Sequence, residues 1–173
     1  ETCGVHEGSA REALWSPRLR RADYPLMLLV WLALCGLMRL AAARLALAAI
    51  TPAAVLSRNA AAASLASDLA PERAVRECDR VAFFIPRVAR RLPWRSDCLV
   101  QALAGQAWLA SAGIASEIRF GVGKPHADAF EVHAWLIAQG HVLLGGDVTR
   151  FHPLIAPQGA MSGHDPRRQK RLG

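Results

Sequence analysis

Three residues carry side chains able to act together as a nucleophile, a base and an orienting acid: Cys98, His133 and Asp147. Cys98 lies in the first turn of a predicted helix over Asp97–Ala112, with Ser96 or Asp97 as its cap and Gly113 as its stop. Free N–H groups and the positive dipole end of a helix stabilise an anion there, which favours a thiolate. Asp97 opposes that charge unless its carboxylate turns away to cap the helix. On position alone, a single cysteine is more often a small buried hydrophobe. His133 interrupts the apolar strand Phe130–Ala138. Alternation sets His133, Trp135 and Ile137 on one face and Val132, Ala134 and Leu136 on the other. Both faces are mostly apolar, so the strand is an inner one and the imidazole is its exception, either a satisfied core histidine or a functional one. Asp147 closes a third strand, His141–Asp147. A three-residue loop at Gln139, Gly140 and His141 pairs position 133 with 147. A two-residue loop pairs 133 with 146 and turns Asp147 to the other face, unless the glycines form a bulge.

The chemistry of such a set is acyl transfer. His133 takes the thiol proton and later returns it to the leaving amine, and Asp147 holds the imidazole tautomer. Backbone N–H groups near Cys98 supply an oxyanion site. Gln101 and Gln106 are read as residues of the helix face rather than as donors to that site.

The elements that position these residues follow from the rest of the chain. Residues 1–22 are expected to be a loose basic segment, 23–92 a helical subdomain, 93–158 the catalytic core and 159–173 a flexible basic tail. Thr51-Pro52 predicts a capped helix to about Ala66, and Ser67 or Asp68 before Pro71 repeats the signal. Residues 72–92 read as a helix with Val81, Phe84, Ile85 and Val88 on one stripe, kinked or split at Pro86. Arg87, Arg90 and Arg91 form its basic face, read as solvated. Ser116–Val122 reads as a strand leading to Phe130–Ala138. A helical half followed by a helix feeding a small antiparallel sheet defines an α+β fold.

At 173 residues, 53% hydrophobic and 20% charged, the chain suits one domain and is too apolar for disorder. Four scattered cysteines without a CxxC pair argue against a zinc ribbon or a disulfide scaffold and make the reducing cytoplasm the default compartment. The net charge of +7 is almost all arginine, a bias that coding composition also produces, so no nucleic-acid partner is inferred. No metal site is expected: Cys3 and His6 lack partners, and His126, His141, His152 and His164 follow no ligand spacing. Gly121-Val122-Gly123-Lys124 ends a strand without a following helix, so no nucleotide cofactor is expected either. The apolar run from Leu26 to Ile50 admits three readings: a buried or membrane-touching helix of the helical subdomain, a membrane-associated segment, or a cleaved signal following Arg18–Arg21. Contact with a membrane through 25–50 stays open at this point.

Taken together, the segments Trp94-Arg95-Ser96-Asp97-Cys98-Leu99-Val100-Gln101-Ala102-Leu103, Gly113-Ile114, Ser116–Val122, His133-Ala134-Trp135 and Gly145-Gly146-Asp147 resemble the lasso peptide biosynthesis B2 proteins over about residues 78–155. The resemblance implies a transglutaminase-like, papain-related cysteine peptidase, with Cys98 as nucleophile, His133 as base and Asp147 as third member. It implies removal of the leader from a ribosomally made precursor peptide, after which a separate ATP-dependent cyclase closes the freed N-terminus onto an acidic side chain. It also implies a leader-recognition domain. Residues 1–75 show no convincing mixed helix and strand pattern for one, so that element is expected in trans or ahead of Glu1. Two other readings stand beside the peptidase: an acyl transferase using the same three residues, and a non-catalytic basic protein of membrane surfaces or nucleic acid, with Leu26–Ile50 and the arginine clusters as its working surface.

Overall fold

The computed structural model describes residues 14–16, 24–49, 51–66, 69–94, 96–126 and 129–154. Cys3, His6, Arg18–Arg21, Ile50, Ser67, Asp68, Arg95, His164 and the tail from Asp165 lie outside the described residues.

Four helices precede the sheet: α1 (Leu26–Ala49), α2 (Pro52–Ala63), α3 (Pro71–Ala89) and α4 (Cys98–Ser111). Then come β1 (Glu117–His126), β2 (Ala129–Ala138), β3 (His141–Leu144) and the short β4 (His152–Pro153). All pairings between these strands are antiparallel, in the order β3-β2-β1-β4. This is the α+β architecture expected from the sequence. Thr51 caps α2 as predicted, its hydroxyl accepting from Ala54 N, with Pro52 in the first turn. Pro86 does not split α3. It lies in the last turn, where few hydrogen bonds remain to lose, and the helix ends three residues later. β3 is shorter than expected and stops at Leu144.

One hydrophobic core runs through both the helical stretch and the sheet. Leu32 and Leu40 of α1, Cys78, Val81 and Ile85 of α3, Val100 and Leu109 of α4, Ile118 of β1 and Leu136 of β2 belong to the same buried cluster. Within the segment expected to be loose, Leu14 bridges Val142 at the free side of β3, and Trp15 N–H donates to the Val142 carbonyl at 2.9 Å. The Trp15 indole donates to the buried carboxylate of Asp79 at 2.8 Å. Two favourable contacts thus hold a stretch whose composition alone gave no periodic signal.

The outer side of β1 is closed by α2. Asn59 Oδ1 accepts from Ile118 N–H at 2.7 Å and from Gln106 Nε2 at 2.8 Å, and Asn59 Nδ2 donates to the Ile118 carbonyl at 2.8 Å. The amide acts there as a strand neighbour. Alanine at Asn59 leaves a strand N–H and carbonyl without partners, and is expected to cost about 2–3 kcal/mol. Chemical denaturation of wild type and Asn59→Ala measures that difference.

Candidate active site

The sequence Cys98-Leu99-Val100-Gln101-Ala102-Leu103-Ala104-Gly105 forms the first half of α4, with Val100, Ala102 and Ala104 buried. Asp97 is the N-cap residue, and its side chain makes no capping hydrogen bond. The first-turn N–H groups at Cys98 are therefore not taken by that carboxylate. Gln101 Nε2 donates to the Ser96 carbonyl at 2.8 Å and ties the approach to Cys98 onto the helix. Gln101 thus has a positioning contact, and Gln106 belongs to the Asn59 network. Cys98 is half-buried and packs against the principal core.

Gly105 sets how close α4 comes to the sheet. A Cβ there would lie 2.6 Å from Leu144 Cδ1 and 2.8 Å from Leu136 Cδ2. Gln106 Nε2 reaches the Ser116 carbonyl at 3.4 Å, so β1 starts beside the second half of α4 and runs back along it. β2, antiparallel to β1, then runs in the same sense as α4. From Gly105 back to Cys98 is about 10 Å of helix axis. From Leu136 back to His133 is about 10 Å of strand. These equal lengths, counted from the Gly105–Leu136 contact, are the basis for relating Cys98 to His133, between which no contact is present among the described residues.

They occupy different sides of β2. Ala134, Leu136 and Ala138 join the core with α4, whereas Trp135 and Ile137 form a second cluster with Val142 and Phe151. His133 shares that second face. Its ring stacks on Phe151 with centroids 4.6 Å apart and lies 6.4 Å from the Trp135 ring. No hydrogen bond between described residues joins Cys98 to His133. His133 Nε2 lies 2.7 Å from the Gly145 carbonyl oxygen. A carbonyl oxygen only accepts, so Nε2 carries the proton and the lone pair of the neutral ring is on Nδ1.

The loop between β2 and β3 has two residues, Gln139 and Gly140, both with positive φ (53° and 73°), as a tight hairpin requires. The register then shifts: Ile137 faces Val142, but Leu136 faces Leu144, leaving Leu143 as an extra residue. The bulge falls at Leu143, not at the glycines. Beyond Leu144 the chain leaves the ladder at Gly145, φ 116°. Asp147 is exposed, and its Oδ1 accepts from Thr149 N at 3.0 Å and Thr149 Oγ1 at 2.7 Å. These bonds, with Arg150 nearby, hold its carboxyl below the ordinary carboxylate value. The residue that meets His133 is therefore Gly145, through its carbonyl, while Asp147 shapes the loop two residues on. The sequence did mark this loop as Gly145-Gly146-Asp147, but a backbone carbonyl carries no residue-type signal. Phe151, the ring beneath the imidazole, was likewise unmarked.

Burial, reinforced by the negative charges of Asp79 and Glu77, pushes the Cys78 thiol up to about 12. At pH 8 that leaves Cys78 roughly a thousandfold poorer in thiolate than an ordinary cysteine. Iodoacetamide mapping by mass spectrometry is expected to mark Cys98 in the native protein and Cys78 only after unfolding. Modification of Cys78 at the rate of Cys98 would contradict this.

The chain thus layers helices on an antiparallel sheet, with a cysteine opening α4 and a histidine on β2. A family model described as the transglutaminase-like superfamily matches residues 37–156, more than half of the chain, and the chain belongs to that superfamily. The match takes in Cys98, His133 and Asp147 and reaches back into α1. No curated protein and no solved structure gives a match.

Proposed function

We propose that this protein is a cysteine peptidase that removes the leader from a ribosomally synthesised lasso peptide precursor. What supports the reading is a cysteine opening α4 and a histidine on β2, two elements that pack together inside a transglutaminase-like domain. The finer assignment rests on the resemblance of the Cys98, His133-Ala134-Trp135 and Gly145-Gly146-Asp147 segments to the B2 proteins.

In this reading the Cys98 sulfur attacks the carbonyl at the leader–core junction. His133 Nδ1 accepts the thiol proton while Nε2 stays bonded to the Gly145 carbonyl, which suits both the neutral and the cationic ring. The first-turn N–H groups of α4 face the developing oxyanion. The imidazolium returns its proton to the leaving amine, and water, activated by the same ring, releases the acyl-enzyme. This step requires Cys98 Sγ and His133 Nδ1 to come within hydrogen-bond reach when the substrate fills the site. Asp147 serves the base at one remove, by fixing the turn that carries Gly145.

An acyl transferase would use the same residues with an amine in place of water. The two are separated by mass spectrometry of the precursor peptide incubated with this protein, a small leader-binding partner and an added primary amine. One cut at the leader–core junction, with water incorporated in the leader fragment, supports the peptidase. Amine incorporation establishes the transferase instead. An intact peptide that the partner nonetheless binds rules out both.

A further inference from the structure

α1 buries one stripe, Leu32, Gly36, Leu40 and Ala43, against α3 and α4. Its opposite side is bare. At about 100° per residue, Met27, Val30, Trp31, Leu34, Met38 and Leu45 form one band running the helix length. They are among the most exposed large hydrophobic residues of the protein: Met27 is 83% exposed, Trp31 59%, Met38 67% and Leu45 73%. No polar or charged residue falls inside the band, and α1 contains no Asp or Glu. Its two charges flank it. Arg39 leans inward over the Trp108 ring and donates to Ser111 Oγ, while Arg44 is exposed on the other flank.

The positive border continues on α3. A groove of about 320 Å³ beside the band is walled by Leu26, Val30, Phe83 and Phe84, with Arg87 and Arg91 at its rim. Arg90 is close by and exposed. Among the described residues no carboxylate pairs with Arg44, Arg87, Arg90 or Arg91.

We infer that the outer face of α1 lies in the surface of an anionic lipid bilayer, with the arginines of α1 and α3 at the headgroups. An apolar band of about 27 Å, with a tryptophan in it and cations alone at its border, suits a helix lying in a membrane interface. The helix does not span. Although 24 residues are long enough to cross a bilayer, crossing would pull Leu32, Gly36, Leu40 and Ala43 out of the core they share with the sheet. A second copy fits poorly. Two such faces packed antiparallel would set Arg44 of one chain against the Arg87 and Arg91 groove of the other, positive against positive. This inference does not depend on the peptidase reading.

The test is co-sedimentation of the full chain with extruded vesicles of phosphatidylcholine alone, or with about one-third phosphatidylglycerol. The protein is expected to pellet with the mixed vesicles and to be released by high salt. Met27→Gln/Trp31→Gln/Met38→Gln should weaken that binding by tenfold or more, and Arg90→Gln/Arg91→Gln by about tenfold through lost headgroup attraction. Circular dichroism melting shows whether the variants fold, and the single variant Met27→Gln, in the first turn, serves if the triple does not. Absence of vesicle binding overturns the inference, as does equal binding to neutral vesicles. A wild-type dimer that the triple variant converts to monomer, without vesicle binding, assigns the band to a second copy instead.

Discussion

Under the proposed peptidase function, alanine at Cys98 is expected to reduce single-turnover cleavage of the precursor peptide by a factor of about 10⁴ or more. Alanine at His133 should cost nearly as much, and the double variant should be no worse than either. In the proposed mechanism thiol and imidazole act as one unit: without the base the thiol proton has no acceptor, and without the sulfur the base has nothing to deprotonate. Neither change should harm the fold greatly. Cys98 is half-buried at a helix end, and losing its sulfur removes little packing, about 1 kcal/mol. His133→Ala removes a ring stacked on Phe151 and one hydrogen bond to a loop carbonyl. Liquid chromatography with mass detection gives the rates, and thermal melts give the stability. Losses that simply multiply in the double variant would mean that the two residues do not work together.

Gly145→Ala should be the most damaging single-methyl change. A Cβ at this position would lie 2.4 Å from Trp135 Cβ and 3.0 Å from Trp135 Cα. Neither atom is the loose end of a side chain, and Trp135 is buried. The φ of 116° adds strain for any residue with a side chain. Together these should cost about 3 kcal/mol or more, a fall in Tm of roughly 10 °C for a chain of this size. Gly145 also holds His133 Nε2, so a displaced carbonyl misaims the base, and a shift of about 1 Å can cost about 10² in rate. Alkylation of Cys98 by iodoacetamide below the melting range separates the two effects. Loss of base positioning slows Cys98 labelling while Cys35 labelling is unchanged. Equal changes at both cysteines would make Gly145 a structural residue only. Asp147→Asn, which keeps one oxygen for Thr149, should do far less in the same assay.

Much of this was legible in the chain. The α4 boundaries, the Thr51 cap and the Gln139-Gly140 turn depend on local chemistry that residue types declare. What was not legible depends on distant neighbours. Val142, Leu143 and Leu144 are all apolar and all buried, so no alternation marks where the ladder slips, and the bulge that carries the chain to Gly145 left no trace. Asn59 gives no sign in the sequence of its role beside β1, because its partners lie on α4 and β1. α1 is apolar on two opposite sides, with Arg39 and Arg44 between them, and only its packing partners decide which stripe is buried and which is left bare. The carbonyl that orients His133 is a property of a loop's path, not of any side chain.

Asn59 and Leu154 on one side of the sheet and Leu14–Trp15 on the other have a consequence for recognition. Many peptide-binding proteins hold an extended ligand by β-augmentation, lending it the unused hydrogen bonds of an outer strand. Here the main-chain groups at Ile118 and Phe120 already have Asn59 and Leu154 as partners, Gly121 and Val122 pair with β4, and Val142 is met by Trp15. Among the described residues, an added strand at these positions would first have to displace a segment of the chain itself. In the proposed peptidase reading, the peptide then reaches Cys98 across the end of the layer where α4 begins rather than as a further strand at these positions.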